Sequence, residues 1–236
     1  MLPKIDKPLF DLNVPSMDKS FKFRPFTVKE EKILLTGQQS GDDKEIILAI
    51  KQVINNCCQD PTFDVDDLAT FDLEYMFLKL RAKSVNNIIE VSYRDNEDDQ
   101  VYDFVINLDE VKMINLDSDS SKVIPVNDKI GMKMKYPSIT IIDNIPEYKD
   151  PADIIDYLVK NCVDCIYDED SVYSTKDISS DELNDWLDNL DIETFGKIRE
   201  FFDKLPQMYY KITYTNSMGT ERVIELNSLN DFFMLG

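Results

Sequence analysis

The apolar residues of this chain keep two different spacings, and the spacings come in blocks. "FKFRPF" (Phe21 to Phe26) places Phe21, Phe23 and Phe26 around Lys22 and Arg24, the alternation of a half-buried strand. "DKEIILAIKQVIN" instead repeats Ile46, Ile47, Ile50, Val53 and Ile54 at three and four, the spacing of one helix face. Strand-type and helix-type blocks are grouped rather than interleaved one by one. Grouping of that kind excludes the strand-helix alternation of a parallel α/β sheet and predicts a segregated α+β fold.

Local signals mark the elements. "PLFDLNV" and "SFKFRPF" flank "PSMDK", whose composition is that of a turn, so the chain opens with a hairpin. Pro25 lacks an N–H for a ladder and either ends the second strand or leaves it at an edge. Thr27, with Glu30 three residues on, is the signature of a capping box and starts the first helix, and "TGQQSGDD" is expected to stop it. Asp42 or Asp43 caps the second helix. Thr70 is expected to cap the third, which places Leu73, Phe77 and Leu80 on one face beside Met76.

Beyond residue 85 the period drops to two. "NIIEVSYR" and "QVYDFVINL" flank the acidic turn "DNEDD", and "EVKMINL" and "IGMKMKYP" read as further strands around the loop "DSDSSK". Helical spacing then returns. Asp150 and Pro151 open one helix through "DPADIIDYLVKNCVDCIYDED", and Ser179 with Glu182 opens a second by a capping box. Phe195, Ile198, Phe201, Phe202 and Leu205 form the face of a third. "YYKITYTNSMGTERVIEL" closes the chain as a hairpin turning at "NSMG". The expected order is ββ-ααα-ββββ-ααα-ββ, with a soft boundary at Pro146 to Asp150. It separates an α+β region over 1–146 from an acidic helical region with the C-terminal hairpin over 147–236, in two domains or one continuous one.

Chemistry is constrained by what is missing. The 236 residues contain no histidine, so Ser-His-Asp and Cys-His catalysis is excluded and a metal would need carboxylates and thiolates alone. "CVDC" holds Cys162 and Cys165 at a spacing that puts both thiols on one helical face. Cys57 and Cys58 are adjacent, which is not a knuckle spacing, so four core cysteines are expected. "DEDSVY" fails as a calcium loop, because Tyr173 stands where glycine and Ser179 where glutamate is required. No phosphate-binding glycine motif is present, and the chain has only six glycines. Trp186 shares helical spacing with Leu183 and Leu190 and reads as core. No cofactor is expected.

Charge speaks to partners. The formal net charge is −20, which repels phosphate backbones and anionic lipid and argues against nucleic acid or a membrane surface as partner. No leader-like segment and no membrane-length apolar run is read, so a cytosolic protein with reduced thiols is expected. The residues from Glu147 to Pro206 carry 17 acidic and 6 basic side chains, whereas from Met1 to Gln39 basic residues slightly outnumber acidic ones. That local excess makes Lys22, Arg24, Phe26 and Lys29 the candidate partner-binding residues, unless Lys22 and Arg24 only pair with acids of their own chain.

Six blocks, "LPKIDKPLFDLNVPS", "FKFRPFTVKEEKILL", "AIKQVINNC", "FDLEYMFLKLRAKSV", "DKIGMKMKYPS" and "REFFDKLPQMYYKITY", occur in this order over nearly the whole chain. Together they resemble the baseplate hub assembly family of T-even-like contractile-tailed bacteriophages. The resemblance implies a non-catalytic, late viral protein in the cytoplasm of the infected bacterium, where it meets other hub and tail proteins as a chaperone-like factor or a retained subunit of the virion. It supplies no catalytic residues. It also implies a zinc-ribbon-like cysteine pair in the last hairpin of some relatives, where this chain has "TYTNSMGTE". Asn216 to Gly219 must then close the turn by hydrogen bonds, with Tyr210, Ile212, Val223 and Ile224 packing the hairpin. Two other classes stay open from the residues: a metal-dependent hydrolase built on carboxylates, and an acidic inhibitor that mimics DNA.

Overall fold

A computed structural model describes residues 3, 5–116, 122–146 and 150–233. Among them are eight helices and eleven strands in small antiparallel sheets, an α+β architecture. The chain divides into two compact units. The first joins residues 1–114 to 207–236, and the second is the intervening segment 115–206. The boundary expected at Pro146 to Asp150 falls inside the second unit, and the C-terminal hairpin belongs to the first.

In the first unit β1 (Phe10–Val14) pairs antiparallel with β2 (Lys19–Phe23), with Leu12 opposite Phe21. The alternation buries Leu12, Val14, Phe21 and Phe23, and Phe63 meets both phenylalanine rings edge-on. α1 (Val28–Ser40) starts on the expected Thr27–Glu30 capping box. It ends within "TGQQSGDD", as expected, at the second glycine rather than the first. Gly37 lies inside the helix, and a Cβ there would stand 2.8 Å from the Cβ of Ala49. The glycine is a packing residue where α1 meets α2, and Gly41, in the left-handed conformation at φ 67°, ends the helix.

Asp42 caps α2 (Asp43–Cys57) by accepting from the Lys44 N–H. α3 (Thr70–Ser84) buries Leu73, Met76, Phe77 and Leu80 as their spacing predicts. Thr70, expected as its cap, is the first helical residue instead. Ala69 holds the cap position without a side-chain oxygen, leaving the reciprocal contact to Asp72. Its carboxylate accepts from the Ala69 N–H at 3.3 Å and from the Ser16 N–H at 2.9 Å, tying the first hairpin to the helix.

β3 (Ile88–Arg94) and β4 (Val101–Asn107) form the second hairpin. β10 (Gln207–Thr215) lies between β11 (Glu221–Leu226) and β5 (Lys112–Ile114). The five-residue α8 (Leu229–Phe233) ends the described chain and buries Phe232.

The second unit is a four-stranded antiparallel sheet in the order β6 (Val123–Pro125), β7 (Gly131–Met134), β8 (Val163–Tyr167), β9 (Val172–Ser174). The helices α4 (Ile139–Asp143), α5 (Pro151–Cys162), α6 (Ser180–Asp188) and α7 (Ile192–Asp203) complete it. Its core gathers Ile124, Met132, Met134, Val163, Ile198 and Phe201. β8 and β9 correct the expectation of one helix through "CVDCIYDED". The chain leaves α5 at Cys162 and enters β8 directly, so Cys162 and Cys165 share no helical face. Cys162 is buried and Cys165 half-buried, and all four thiols are free. Asp168 accepts from the N–H groups of Asp170 and Ser171, which makes "DEDSVY" the turn of this hairpin. The "DSDSSK" loop falls, at 117–121, outside the described residues.

Candidate functional site

The four residues singled out at the N-terminus separate into two kinds. Arg24 faces inward. Its guanidinium spans the Glu30 carboxylate at 3.1 and 3.3 Å and also donates to the Asn56 carbonyl at 2.9 Å and the Pro25 carbonyl at 3.0 Å. Glu30, only 1 % exposed, further accepts from the Thr27 N–H at 2.8 Å and the Thr27 hydroxyl at 2.6 Å. Burial alone would raise the Glu30 carboxyl; the Arg24 and Thr27 hydrogen bonds outweigh it and hold it at about 2. One ion pair thus pins the end of β2, the start of α1 and the end of α2.

Phe26 is buried as well, and its N–H donates to the Ser84 hydroxyl at 3.0 Å. Lys22 and Lys29 are exposed. Lys22 stands across the hairpin from Asp11 at 3.4 Å, with both side chains about two-thirds in solvent. The strand edge beside Pro25 is not open along its length. The Gln59 N–H donates to the Lys22 carbonyl at 2.8 Å, and the Arg24 N–H donates to the Cys57 carbonyl at 3.0 Å.

A second cluster gave no sequence signal as a unit. The acidic turn after β3 and the "NSMG" turn after β10 lie against one another within the first unit. The Tyr214 hydroxyl donates to Asp95 at 2.5 Å, the Asn216 amide to Glu97 at 2.6 Å, and the Ser217 hydroxyl to Asp98 at 2.7 Å. Arg222 donates to Asn96 at 2.6 Å and stands 3.3 Å from Asp95. The Tyr102 hydroxyl leads the contacts that hold Asp98 well below the usual carboxylate range, and the Tyr214 hydroxyl leads those that lower Asp95. Asn216 also accepts from the N–H groups of Met218 and Thr220, so hydrogen bonds close the last turn.

The second unit has a cavity of about 480 Å³ beside the β8–β9 hairpin and α6. Ile166, Ile178, Leu183 and Trp186 supply apolar wall, and Tyr167 and Tyr173 add rings. Asp168, Asp177 and Glu182 stand among the lining residues, none of which is a lysine or arginine. Trp186, expected as core, is half-buried. It packs on the core with one side and lines this cavity with the other. Gly131 sits directly under Tyr167, where a Cβ would collide with the end of the Tyr167 ring and its hydroxyl oxygen.

Among the described residues, no group of three or more histidine, cysteine, aspartate or glutamate side chains is placed to hold a metal ion. No helix among them is long and apolar enough to cross a membrane. In comparisons with known proteins, one family model, described as T4 bacteriophage base plate protein, matches residues 7–234. No curated protein and no solved structure matches.

Proposed function

The chain belongs to the T4 bacteriophage base plate protein family, and on that premise we propose that it acts at the hub of the baseplate by contact rather than catalysis. It is either an assembly factor or a hub component of the contractile tail. The observation that carries this reading is the family match over residues 7–234, which spans both compact units. The absence of histidine supports the non-catalytic part, since the commonest general base and metal ligand is missing. Expression in the cytoplasm of the infected host, with other baseplate and tail proteins as partners, follows from the same reading.

Contact through the N-terminal unit falls to its exposed lysines. Lys22 and Lys29 present cations on a frame that Arg24 and Phe26 hold from within. A phage carrying an amber codon in this gene tests the reading. Lysates from a non-suppressing host should contain heads but no complete tails by electron microscopy, with tails restored by a plasmid copy. In lysates complemented by a tagged plasmid copy, the protein should co-purify with baseplate proteins, and Lys22→Glu with Lys29→Glu should weaken that association. Normal tail yield without the protein would refute the assembly role.

A further inference from the structure

We propose that the cavity of the second unit is a docking pocket for a lysine- or arginine-bearing segment of another baseplate protein. The proposal rests on the assembly reading above and specifies one of its contacts. Size and lining come first. About 480 Å³ falls within the range of pockets that enclose a ligand, roughly 300–1,000 Å³. The wall is apolar and aromatic, and half-buried aromatic residues lining a concavity are the usual anchors of protein interfaces. Trp186 and Ile178 offer the surface on which the methylene stem of a long basic side chain would lie.

Charge selects the occupant. Three carboxylates, Asp168, Asp177 and Glu182, stand among the lining residues, none of which is a lysine or arginine; Lys176, which precedes Asp177 in the chain, is exposed and outside the lining. Asp168 is engaged by its own loop and by the Tyr173 hydroxyl, and Glu182 by Ser179. Asp177 makes no side-chain hydrogen bond or ion pair among the described residues. It is exposed and stands next to the apolar wall at Ile178. Residues 115–206 carry 21 acidic and 10 basic side chains, so the field around the cavity is negative as well. A second copy of this chain would bring the same charge and be repelled. A basic segment gains from the field, and a cation over the indole adds a cation–π contact.

The test uses Trp186, the only tryptophan, as its own reporter. Peptides tiled across the other baseplate proteins of the same phage are titrated into the full-length protein while Trp186 emission is followed. Peptides carrying lysine or arginine beside apolar residues should give a saturable change, at least tenfold weaker in 0.5 M than in 0.05 M sodium chloride. Asp177→Lys, an exposed substitution that leaves the core intact, should weaken binding at least fivefold, and Ile178→Arg more than tenfold. Three results would overturn the proposal: no peptide altering Trp186 emission, equal binding of acidic peptides, or Asp177→Lys binding like wild type. Co-purification from infected cells separates this from the broader reading. If Asp177→Lys and wild type retain baseplate partners equally, the pocket is not the contact and the assembly role stands. If wild type retains none, the assembly reading itself fails.

Discussion

Removing Glu30 gives the sharpest test of how the N-terminal frame is held. Its carboxyl sits at about 2 rather than 4.5. Each tenfold in proton affinity corresponds to about 1.4 kcal/mol, so the carboxylate contributes about 3 kcal/mol to folding at neutral pH. Severing a buried ion pair gives the same order independently, about 3–5 kcal/mol, and the lower end applies because the Arg24 side chain keeps 22 % exposure and two carbonyl partners. Because the folded value is depressed, this stability is fully present above pH 4.5 and is lost as pH falls through about 2. Glu30→Ala should therefore cost about 3 kcal/mol in urea denaturation at pH 7, and the gap to wild type should shrink to about 1.5 kcal/mol at pH 3. A cost below about 1 kcal/mol at pH 7, or a gap that does not narrow with acid, would refute the argument. Arg24→Glu would place a second carboxylate against Glu30 and damage the frame. It is therefore unsuitable as a binding probe, and the partner test uses the exposed Lys22 and Lys29.

Other predictions follow from single contacts. Burial and the neighbouring Asp231 raise the Glu74 carboxyl to about 7. Its stabilisation is complete below about pH 4.5 and disappears as pH rises through 7, so Glu74→Gln should stabilise the protein at pH 8, by up to about 3 kcal/mol, and change little at pH 4 in chemical denaturation. Gly131→Ala must displace the Tyr167 ring and should cost about 1–3 kcal/mol by the same assay, with a changed Trp186 emission because Tyr167 and Trp186 line one cavity. Burial pushes the Cys57 thiol to about 11 and the Cys162 thiol to about 12. Iodoacetamide at pH 8 should therefore leave both unmodified in the native protein, as read by mass spectrometry, and label the half-buried Cys58 and Cys165 first.

What could be read from the sequence was mostly local. The Thr27–Glu30 and Ser179–Glu182 boxes occur as their spacing predicts, Asp150 caps α5 ahead of Pro151, and of Asp42 and Asp43 it is Asp42 that caps α2. Errors arose where tertiary contact overrules a local signal. Thr70 yields the cap position to Ala69, with Asp72 reaching Ala69 and Ser16 together. β8 was hidden because it follows α5 without a turn residue between Cys162 and Val163. The lock between the hairpin tips joins residues 119 apart, as in Tyr214 to Asp95, and no pattern within either turn announces the other. Of the candidate site, the cations were legible from composition, but which of them face outward was not. Arg24 and Lys22 look alike in a strand pattern until α2 delivers the Asn56 carbonyl to one of them.

That division bears on how such a protein could bind. Ordering a loop or a long side chain on association costs roughly 0.5–1.5 kcal/mol per group, so a surface fixed in advance binds more tightly for the same contacts. The N-terminal lysines sit on a hairpin tied to α3 through Ser16 and on a helix tied to β2 through Arg24. Their backbone positions are set by contacts to the buried carboxylates of Asp72 and Glu30. The cavity has the same construction, with Gly131 admitting the Tyr167 ring and the Asp168 turn holding Tyr173 by its hydroxyl. Loosening the frame should therefore weaken association even when every exposed residue is kept. Glu30→Ala, assayed by co-purification at a temperature where it remains folded, should bind less well than wild type while Lys22 and Lys29 are intact. Equal binding would mean that the exposed charges act without the frame.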